Sequence, residues 1–363
     1  MNSTSNVPAQ SAQAISREWK RLKESQRAIR ARDAAESLGV SEAQLVHAAA
    51  LDPKSHPELT VKPLGGEPAE VFARISDLGY VMALTRNSAV VSERYGHYGE
   101  IGFHGKRALV HTDDMDLRVD FHHWHYSFAT TMQRASGPLH GLQFFDRDGT
   151  AVHKVFVTDR SNMDAYHNLV SSNAMPNIPE GLEILPAEPP PELRGETAVD
   201  AELLRDRWNA ITDTHQFAAM LNRLGVQRLA ALRVVGPELA KRVSSTAWKT
   251  LLENSRDTRL PLMMFVRSPG CTQIYTGYPG NLRGHNEYFN VFDPEFHLHI
   301  REKLLTEAWI VRKPTDHGTV TSLEVYDAAG ELALQFFGVR DEQRRDRENW
   351  RSMVEALPED SDW

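Results

Sequence analysis

The sequence reads VMALT at residues 81–85, RALVHT at 107–112, LRVDF at 117–121, GLQFFD at 141–146 and KVFVT at 154–158. Each stretch is short and rich in β-branched and aromatic residues, which is the composition of a β-strand. Turn residues separate the stretches, as in the segment DRDG at 146–149. Short strands joined by tight turns predict an antiparallel sheet with a meander connection.

Helical sequence precedes this predicted sheet. Residues 15–50 contain an alanine- and arginine-rich stretch that ends at Gly39, a typical helix C-terminus. Ser41 and Gln44 have the spacing of a capping box, which predicts that a second helix begins there. The same order returns later, with helical sequence over about 199–255 and strand-like sequence from Pro261 onward. The predicted fold class is therefore α+β.

The second half of the chain repeats the first half. An ungapped offset of 181 residues places Arg86 on Arg267 and Gly149 on Gly330. Further positions match at the same offset: Met82 with Met263, Gly96 with Gly277, Gly99 with Gly280, Leu142 with Leu323, and Asp146 with Asp327. In the helical parts the matching offset is 186. We infer an internal duplication, and duplicated halves often enclose a ligand cleft.

The length of 363 residues is enough for two domains. Residues 1–16 are polar, so we expect a disordered N-terminus there. The expected divisions are a first repeat over 17–172, a proline-rich linker over 173–200 and a second repeat over 201–363.

Composition excludes several classes of function. The formal net charge of −8 argues against general nucleic-acid binding, which needs a basic surface. The single cysteine, Cys271, cannot form an internal disulfide or a multi-cysteine metal site. The chain shows neither a secretory signal nor an apolar run long enough for membrane insertion, so we expect a cytoplasmic protein. Phosphate-binding loops and serine nucleophile elbows are also missing from the sequence.

His215 lies in the segment DTHQF at 213–217, where Asp213 has the position of a helix N-cap and Gln216 that of its capping-box partner. Phe217 begins the apolar face of the predicted helix. His215 lies about 200° around the helix axis from Phe217, so it points away from that face. Such a residue is either an exposed first-turn histidine or an imidazole available to a metal.

Several cations are candidates for binding an anion. Arg118 lies in a predicted strand and has Asp116 and Asp120 as alternative partners. Arg228, Arg340 and Lys313 each stand near the end of a predicted element, where a lone cation is usually solvated. Together these cations are sufficient to bind two carboxylates, provided the fold brings them together.

Three histidines, His122, His123 and His125, occur in the segment FHHWHYSF at 121–128. On a strand, His123 and His125 would share one face while His122 took the other. Two histidines supply half of a zinc site. We therefore expect a solvated strand face here rather than a metal site.

The chain resembles the bacterial haemin-degrading factor and haemin transport protein family, the HemS, HmuS and ChuS group. The resemblance runs from about Leu22 to Leu357. It rests on these segments, in family order and spacing: RARDAAESLGVSEAQL (30–45), VMALTRN (81–87), DLR (116–118), FHHWH (121–125), GLQFFD (141–146), DTHQF (213–217), WIVRKPT (309–315) and FFGVR (336–340).

The resemblance implies two similar halves, each a large antiparallel sheet flanked by helices, and a haem site. It implies that His215 is the axial ligand of the haem iron and Arg118 the distal residue. The propionate-binding residues would be Arg228, Lys313 and Arg340. Phe336 and Phe337 are candidates for the apolar walls that a porphyrin needs. One departure is Asp120, where relatives commonly have a large apolar residue.

The resemblance leaves two functions open. The first is a haem carrier of iron acquisition, which receives imported haem and traffics or stores it. The alternative is a haem-degrading, haem oxygenase-like enzyme that uses an external reductant or peroxide, with Arg118 as its catalytic distal residue. The implied partners are haem, a haem oxygenase or haem importer, and a second copy of the chain in a homodimer.

Overall fold

A computed structural model describes residues 11–26, 29–186, 193, 195–343 and 345–360. In the first half the elements are α1 (Ala12–Ser25), α2 (Ala31–Leu38), α3 (Glu42–Leu51), β1 (Leu59–Leu64), α4 (Pro68–Ala73), β2 (Gly79–Arg86), β3 (Val90–His97), β4 (Ile101–His104), β5 (Arg107–His111), β6 (Asp116–Asp120), β7 (Tyr126–Arg134), β8 (Gly137–Phe145), β9 (Ala151–Ser161) and α5 (Met163–Asn173).

The second half repeats this order of elements. They are α6 (Ala201–Asn209), α7 (Gln216–Leu224), α8 (Arg228–Val235), β10 (Ala240–Val243), α9 (Ala247–Thr258), β11 (Leu262–Ser268), β12 (Cys271–Gly277), β13 (Leu282–His285), β14 (Tyr288–Asp293), β15 (Phe296–Arg301), β16 (Leu305–Lys313), β17 (Val320–Asp327), β18 (Leu332–Gly338) and α10 (Glu348–Glu355). Short 3₁₀ turns occur at Ile75–Leu78, Phe121–His123, Glu196–Ala198 and Glu302–Leu304.

The strands form two antiparallel sheets of nine strands each. The strand order is β1-β7-β8-β9-β2-β3-β15-β14-β13 in one sheet and β10-β16-β17-β18-β11-β12-β6-β5-β4 in the other. Antiparallel register is continuous along the long hairpins, for example Tyr126 opposite Phe145 and Arg134 opposite Gly137 between β7 and β8. The predicted α+β class, with antiparallel sheets flanked by helices, is confirmed.

The chain divides into two compact units. The first contains the chain up to Thr85, the chain from Tyr95 to the linker, and Ser268–Cys271. The second contains Arg86–Arg94, the chain from the linker to Arg267, and the chain from Thr272 onward.

The internal duplication is visible in the element boundaries. At the offset of 181 residues, β4 falls on β13 and the 3₁₀ turn Phe121–His123 falls on Glu302–Leu304. The turn glycines Gly149 and Gly330 also match, with φ of 79° and 80°. Equal boundaries at one offset confirm the internal repeat.

Local signals explain why these elements form where they do. The Ser41 side chain accepts a hydrogen bond from the Gln44 backbone N–H, and the Gln44 side chain accepts one from the Ser41 N–H, so the predicted capping box of α3 is confirmed. Helices α2 and α7 end at Gly39 and Gly225, both in the left-handed conformation that favours glycine.

Each unit has its own core. In the first, Phe72 makes edge-to-face contacts with Tyr98, Phe121 and Trp124. Cys271 also packs in this core, and burial raises the pKa of its thiol to about 12. The second core centres on the buried indoles of Trp248 and Trp350.

Three sequence-based boundaries differ from the structure. Helix α1 begins at Ala12, where the Ser11 side chain accepts a hydrogen bond from the Ala14 N–H, so the end of the segment 1–16 is helical rather than disordered. Residues 1–10, and residues 187–192 and 194 of the linker, lie outside the described residues. The block 199–255 is interrupted by the short strand β10, which pairs with β16. The strand expected over 117–121 ends at Asp120, because residues 121–123 form a 3₁₀ turn.

The duplicated turn predicts a difference between two alanine variants. Gly149→Ala and Gly330→Ala each place a Cβ in the left-handed region, which costs about 1 to 2 kcal/mol. At residue 149 the new Cβ would also overlap the Ser41 side chain, whereas at residue 330 its nearest neighbour is Leu229 Cδ2 at 3.4 Å. We expect Gly149→Ala to lose about 1 to 3 kcal/mol more than Gly330→Ala, measured by chemical unfolding. Equal losses would show that the Ser41 side chain moves aside freely.

Candidate functional site

The centre of the candidate site is a buried carboxylate, Glu324, on strand β17. Its side chain is 0% exposed and lies in a strand that is buried from Val320 to Tyr326. The Arg228 guanidinium, at the start of α8, donates from Nε to Oε2 at 2.8 Å and from Nη2 to Oε1 at 2.6 Å. The Lys313 ammonium, at the end of β16, donates to Oε1 at 2.8 Å. One carboxylate therefore binds two cations at once.

Neutral donors complete the shell of the Glu324 carboxylate. The Tyr326 hydroxyl donates to Oε2 at 2.7 Å, and the Gln335 amide donates to Oε1 at 2.8 Å. Burial alone would raise the pKa of Glu324, but the charges of Arg228 and Lys313 outweigh it and hold that pKa well below its usual value. Glu324 is thus a fixed negative charge.

A third cation, Arg267 on β11, belongs to the same cluster. Its Nη2 donates to the Gln335 side-chain oxygen at 3.1 Å, while its buried Nε has no hydrogen-bond partner among the described residues. Burial and the charge of Arg228 lower the pKa of Arg267. We call Arg228, Lys313, Arg267 and Glu324 the Glu324 cluster. It holds three cations and one carboxylate, so it carries a surplus of two positive charges when all are ionised.

Burial of this surplus has an electrostatic cost. Lys313 is 2% exposed, and burial lowers its pKa to about 8 against the opposing effect of Glu324. Uncompensated charge in a low-dielectric site is unfavourable. One carboxylate would reduce the surplus and two would neutralise it, so the cluster is suited to bind an anionic ligand of this kind.

Helix α7 connects His215 to the cluster through Phe217. The Phe217 ring lies 4.9 Å from the Arg228 guanidinium and 4.8 Å from the Lys313 ammonium, within the range of cation–π contacts. His215 is two residues earlier in the chain and exposed, as expected for a residue off the apolar face. An exposed imidazole therefore lies two residues before the residue that packs on both cations.

The cap of α7 differs from the predicted one. The helix begins at Gln216, and His215 itself is the N-cap residue. Asp213 Oδ1 accepts the His215 backbone N–H at 2.8 Å, while the Gln216 side-chain oxygen accepts the Thr212 N–H at 3.0 Å. The expected capping box between Asp213 and Gln216 is wrong, because the turn before the helix uses both side chains itself. This turn fixes the backbone that carries His215.

The remaining predicted residues of the second unit have different positions. Phe337 is half-buried, and its ring lies 5.6 Å from the Lys313 ammonium. Phe336 points to the other face of β18 and is buried in the core, so it cannot line a ligand site. Arg340 is exposed beyond the end of β18, and among the described residues it makes no ion pair with the Glu324 cluster.

Two of the cations were expected to be solvated, and that expectation is wrong. Lys313 is buried, and Arg228 is bound in a two-point ion pair with Glu324. Lys313 is buried because the register of β16 and β17 sets it opposite Val320 at the closed end of the hairpin.

Arg118 lies in the first unit, on β6. Its exposed guanidinium pairs with Asp116 Oδ1 at 2.5 Å. Asp120 is instead bound by His122 Nδ1 at 2.6 Å and approached by Arg107. Of the two partners that the sequence left open, Asp116 is the one observed.

The histidines near residue 123 each lie beside a carboxylate. His123 Nδ1 and His125 Nδ1 are 3.3 Å and 3.7 Å from opposite oxygens of Asp146. All three histidine side chains are at least one-third exposed, consistent with a solvated surface.

The first half of the chain lacks this chemistry at the equivalent positions. The repeat mates of Arg228, Lys313, Glu324 and Gln335 are Glu42, Met132, Gln143 and Lys154. Glu42 and Lys154 form a partly buried ion pair of 2.5 Å, so an acid stands at the position of Arg228 there. The helical offset places Ile29 at the position of His215. The duplicated scaffold therefore carries the imidazole and the surplus charge in its second half.

Sequence reasoning missed Glu324, Arg267, Tyr326 and Gln335. A charged residue between Leu323 and Val325, in the middle of the predicted strand VTSLEVYD (320–327), is the signal that could have identified Glu324. Arg267 matches Arg86 in the repeat, but nothing local in the sequence indicates that it lies near the carboxylate that Arg228 and Lys313 bind.

Both halves of the chain match one known protein family. Residues 39–172 and 225–357 each match the family described as the haemin-degrading HemS.ChuX domain. The hemin transport protein HemS of Yersinia enterocolitica is 36% identical over 328 residues, which cover 90% of this chain and 92% of HemS.

Two solved structures are similar over nearly the whole chain. Holo-PhuS, described as a heme-binding protein from Pseudomonas aeruginosa, is 36% identical with a TM-score of 0.90, covering 96% of this chain and 100% of PhuS. The Escherichia coli heme degrading enzyme ChuS is 30% identical with a TM-score of 0.87, covering 96% and 99%. Within the described residues, the helices are too short or too polar to span a membrane.

The charge balance predicts the effect of removing the central carboxylate. Glu324→Gln leaves the buried Lys313 and the partly buried Arg228 without their carboxylate partner, and we expect the ligand-free protein to lose about 3 to 5 kcal/mol of unfolding free energy. Glu42→Gln, in the first half, removes the carboxylate that pairs with Lys154 and is expected to cost less, because the Lys154 side chain is partly exposed. Chemical unfolding of both variants measures the difference. A loss for Glu324→Gln no larger than that for Glu42→Gln would contradict the surplus-charge description.

Proposed function

Because the chain belongs to the haemin-degrading HemS.ChuX family, we propose that it binds haem as a cytoplasmic carrier in iron acquisition. The observation that carries the proposal is the surplus positive charge of the Glu324 cluster, whose Arg228 and Lys313 contact Phe217 of α7, two residues after the exposed His215. Haem combines an iron that accepts imidazole with two propionate carboxylates on an apolar ring. The HemS and PhuS proteins, each 36% identical, are described as hemin-transporting and heme-binding.

In this proposal each residue type has one task. His215 supplies the imidazole to the iron, since its side chain is exposed and held at the start of α7. Arg228 and Lys313 bind propionate, supported by Arg267 as an additional buried charge. Phe337, beside Lys313, supplies apolar contact. Arg118 and Arg340 are kept as further haem-contacting residues on the strength of the family resemblance alone.

The proposal assigns the haem to the second half of the chain. The first half has Ile29 in place of His215, Met132 in place of Lys313 and Glu42 in place of Arg228. An apolar aliphatic side chain cannot ligate iron, and an acid in place of Arg228 repels a further carboxylate. A downstream haem oxygenase, a haem importer and a second copy of the chain are the partners that we propose for transfer.

The assignment of His215 as the iron ligand predicts the effect of removing its imidazole. His215→Ala should shift the Soret band of the haem complex and weaken haem binding, because the iron loses its protein ligand. His285→Ala, at an exposed position of β13, is the matched control and should leave both unchanged. Haemin titration followed by visible absorbance gives both readouts. An unchanged Soret band and affinity in His215→Ala would exclude His215 as the ligand.

The burial of Lys313 predicts that haem affinity depends on pH. Burial lowers the pKa of Lys313 to about 8, so in the haem-free protein the ammonium loses its proton as the pH rises through that value. A bound propionate favours the charged form and raises the pKa of Lys313 in the complex. Haem affinity should therefore be constant below pH 8 and fall above it, by up to about tenfold per pH unit.

The matched variants are Lys313→Met and Lys303→Met, the second at an exposed position. Lys313→Met should bind haem more weakly than the wild type at pH 7, and its haem affinity should no longer fall above pH 8. Lys303→Met should keep the fall in haem affinity above pH 8. Dissociation constants measured between pH 7 and pH 9 test this. A decline that persists in Lys313→Met would assign the pH dependence to another group.

A separate experiment distinguishes a carrier from an enzyme, since ChuS is described as heme degrading. The haem complex is mixed with an external reductant in air, with and without catalase. A stable Soret band, or a loss that catalase abolishes, supports the carrier, because free peroxide then destroys the haem. A loss that catalase does not prevent would establish degradation by the protein.

A further inference from the structure

A second group of metal-ligand residues lies in the second unit, away from the Glu324 cluster in sequence. His297 and His299 are on β15, whose residues alternate between the core and the accessible face. Phe296, Leu298 and Ile300 are buried, so the two histidines share the accessible face. Glu93, on β3, stands directly opposite His297 in the antiparallel register. Three side chains with ligand atoms thus meet on one face of one sheet.

The ligand atoms converge. His297 Nδ1 is 3.3 Å from Glu93 Oε2, and His299 Nε2 is 4.0 Å from Glu93 Oε1. All three ligand atoms lie within 4.8 Å of one another, and no other such group occurs among the residues that the structure describes. The 4.0 Å separation is too long for a hydrogen bond. Two bonds of about 2.1 Å to a shared metal ion can bridge it.

The orientation of His299 is fixed by Asn290, a buried residue of β14. The Asn290 amide NH₂ donates to the backbone carbonyls of Arg283 and Tyr288, so its Oδ1 is the atom that accepts from His299 Nδ1 at 2.8 Å. A proton on Nδ1 leaves the lone pair on Nε2, which faces Glu93. Metal-binding histidines are commonly held in this way by an acceptor on the other ring nitrogen.

An aromatic side chain restrains both imidazoles. The Phe292 ring lies 5.4 Å from the His297 ring and 5.5 Å from the His299 ring, with edge-to-face geometry. The cation that shares this face of β15, Arg301, is directed to Glu287 at 3.5 Å. The Glu93 carboxylate therefore faces two imidazoles with preset ring orientations, which suits a divalent cation.

We propose that Glu93, His297 and His299 form a binding site for a divalent first-row transition metal ion such as Zn²⁺. Two imidazoles and one carboxylate are ligands of the type that such ions prefer, and three protein ligands leave positions open to water. At the repeat positions of His297 and His299 the first half has Asp116 and Arg118, which form an ion pair instead. The duplicated position therefore has a different chemistry in each half.

The test is a Zn²⁺ titration of the full chain, free of an affinity tag and treated with chelator, followed by isothermal calorimetry. The wild-type protein should bind one Zn²⁺ per chain in a saturable step. Glu93→Gln and His299→Ala should each weaken that step by about tenfold or more, as should Asn290→Ala through the orientation of His299. Co²⁺ in place of Zn²⁺ should give a visible ligand-field spectrum that the same variants lose.

The matched control is His125→Ala, which removes one imidazole from the His123, His125 and Asp146 group of the first unit and should leave the Zn²⁺ step unchanged. His299→Gln serves if His299→Ala fails to fold, because its amide can still bond to Asn290. Thermal unfolding checks each variant. The proposal is overturned if the wild type shows no saturable step, or if Glu93→Gln and the folded His299 variant bind Zn²⁺ as tightly as the wild type.

Discussion

A single buried carboxylate, Glu324, holds the candidate site together by sharing its two oxygens among Arg228, Lys313 and three neutral donors. These groups come from α8, β16, β17 and β18, so one charge ties together four elements of the second unit. Because Arg267 adds a third cation, the carboxylate cannot neutralise its surroundings. The same interaction that organises the site therefore leaves it with a capacity for anions.

The two repeats share a scaffold but differ in the side chains at the positions equivalent to the Glu324 cluster. Both halves have the same order of strands and the same turn geometry at Gly149 and Gly330. In the first half, Glu42 stands at the position of Arg228 and Lys154 at the position of Gln335, and these two residues form an ion pair. A few side-chain differences on a shared scaffold thus give the two halves different charges at equivalent positions, and chemistry follows from the side chains rather than from the fold.

The fold was largely predictable because its signals are local. Three of these signals lie within short segments: the composition of the strands, the turn glycines and the Ser41–Gln44 capping box. The fourth is the repeat itself, at an offset of 181 residues. The site was less predictable. Its cations come from separate elements, and Lys313 was expected to be solvated because no local pattern shows that Glu324 lies beside it. Likewise, Asp116, Arg118 and Asp120 alternate onto one strand face, so only the structure identifies which acid pairs with Arg118.

The most direct test of the account is the stoichiometry of an anaerobic haemin titration of the full chain, followed at the Soret band. Binding at the single site formed by His215 and the Glu324 cluster predicts saturation at one haem per chain. It also predicts that a charge-removing double substitution of Arg228 and Lys313 abolishes that saturation. Saturation at two haems per chain, or an unchanged titration in the double variant, would contradict the claim that the surplus charge around Glu324 creates the haem site.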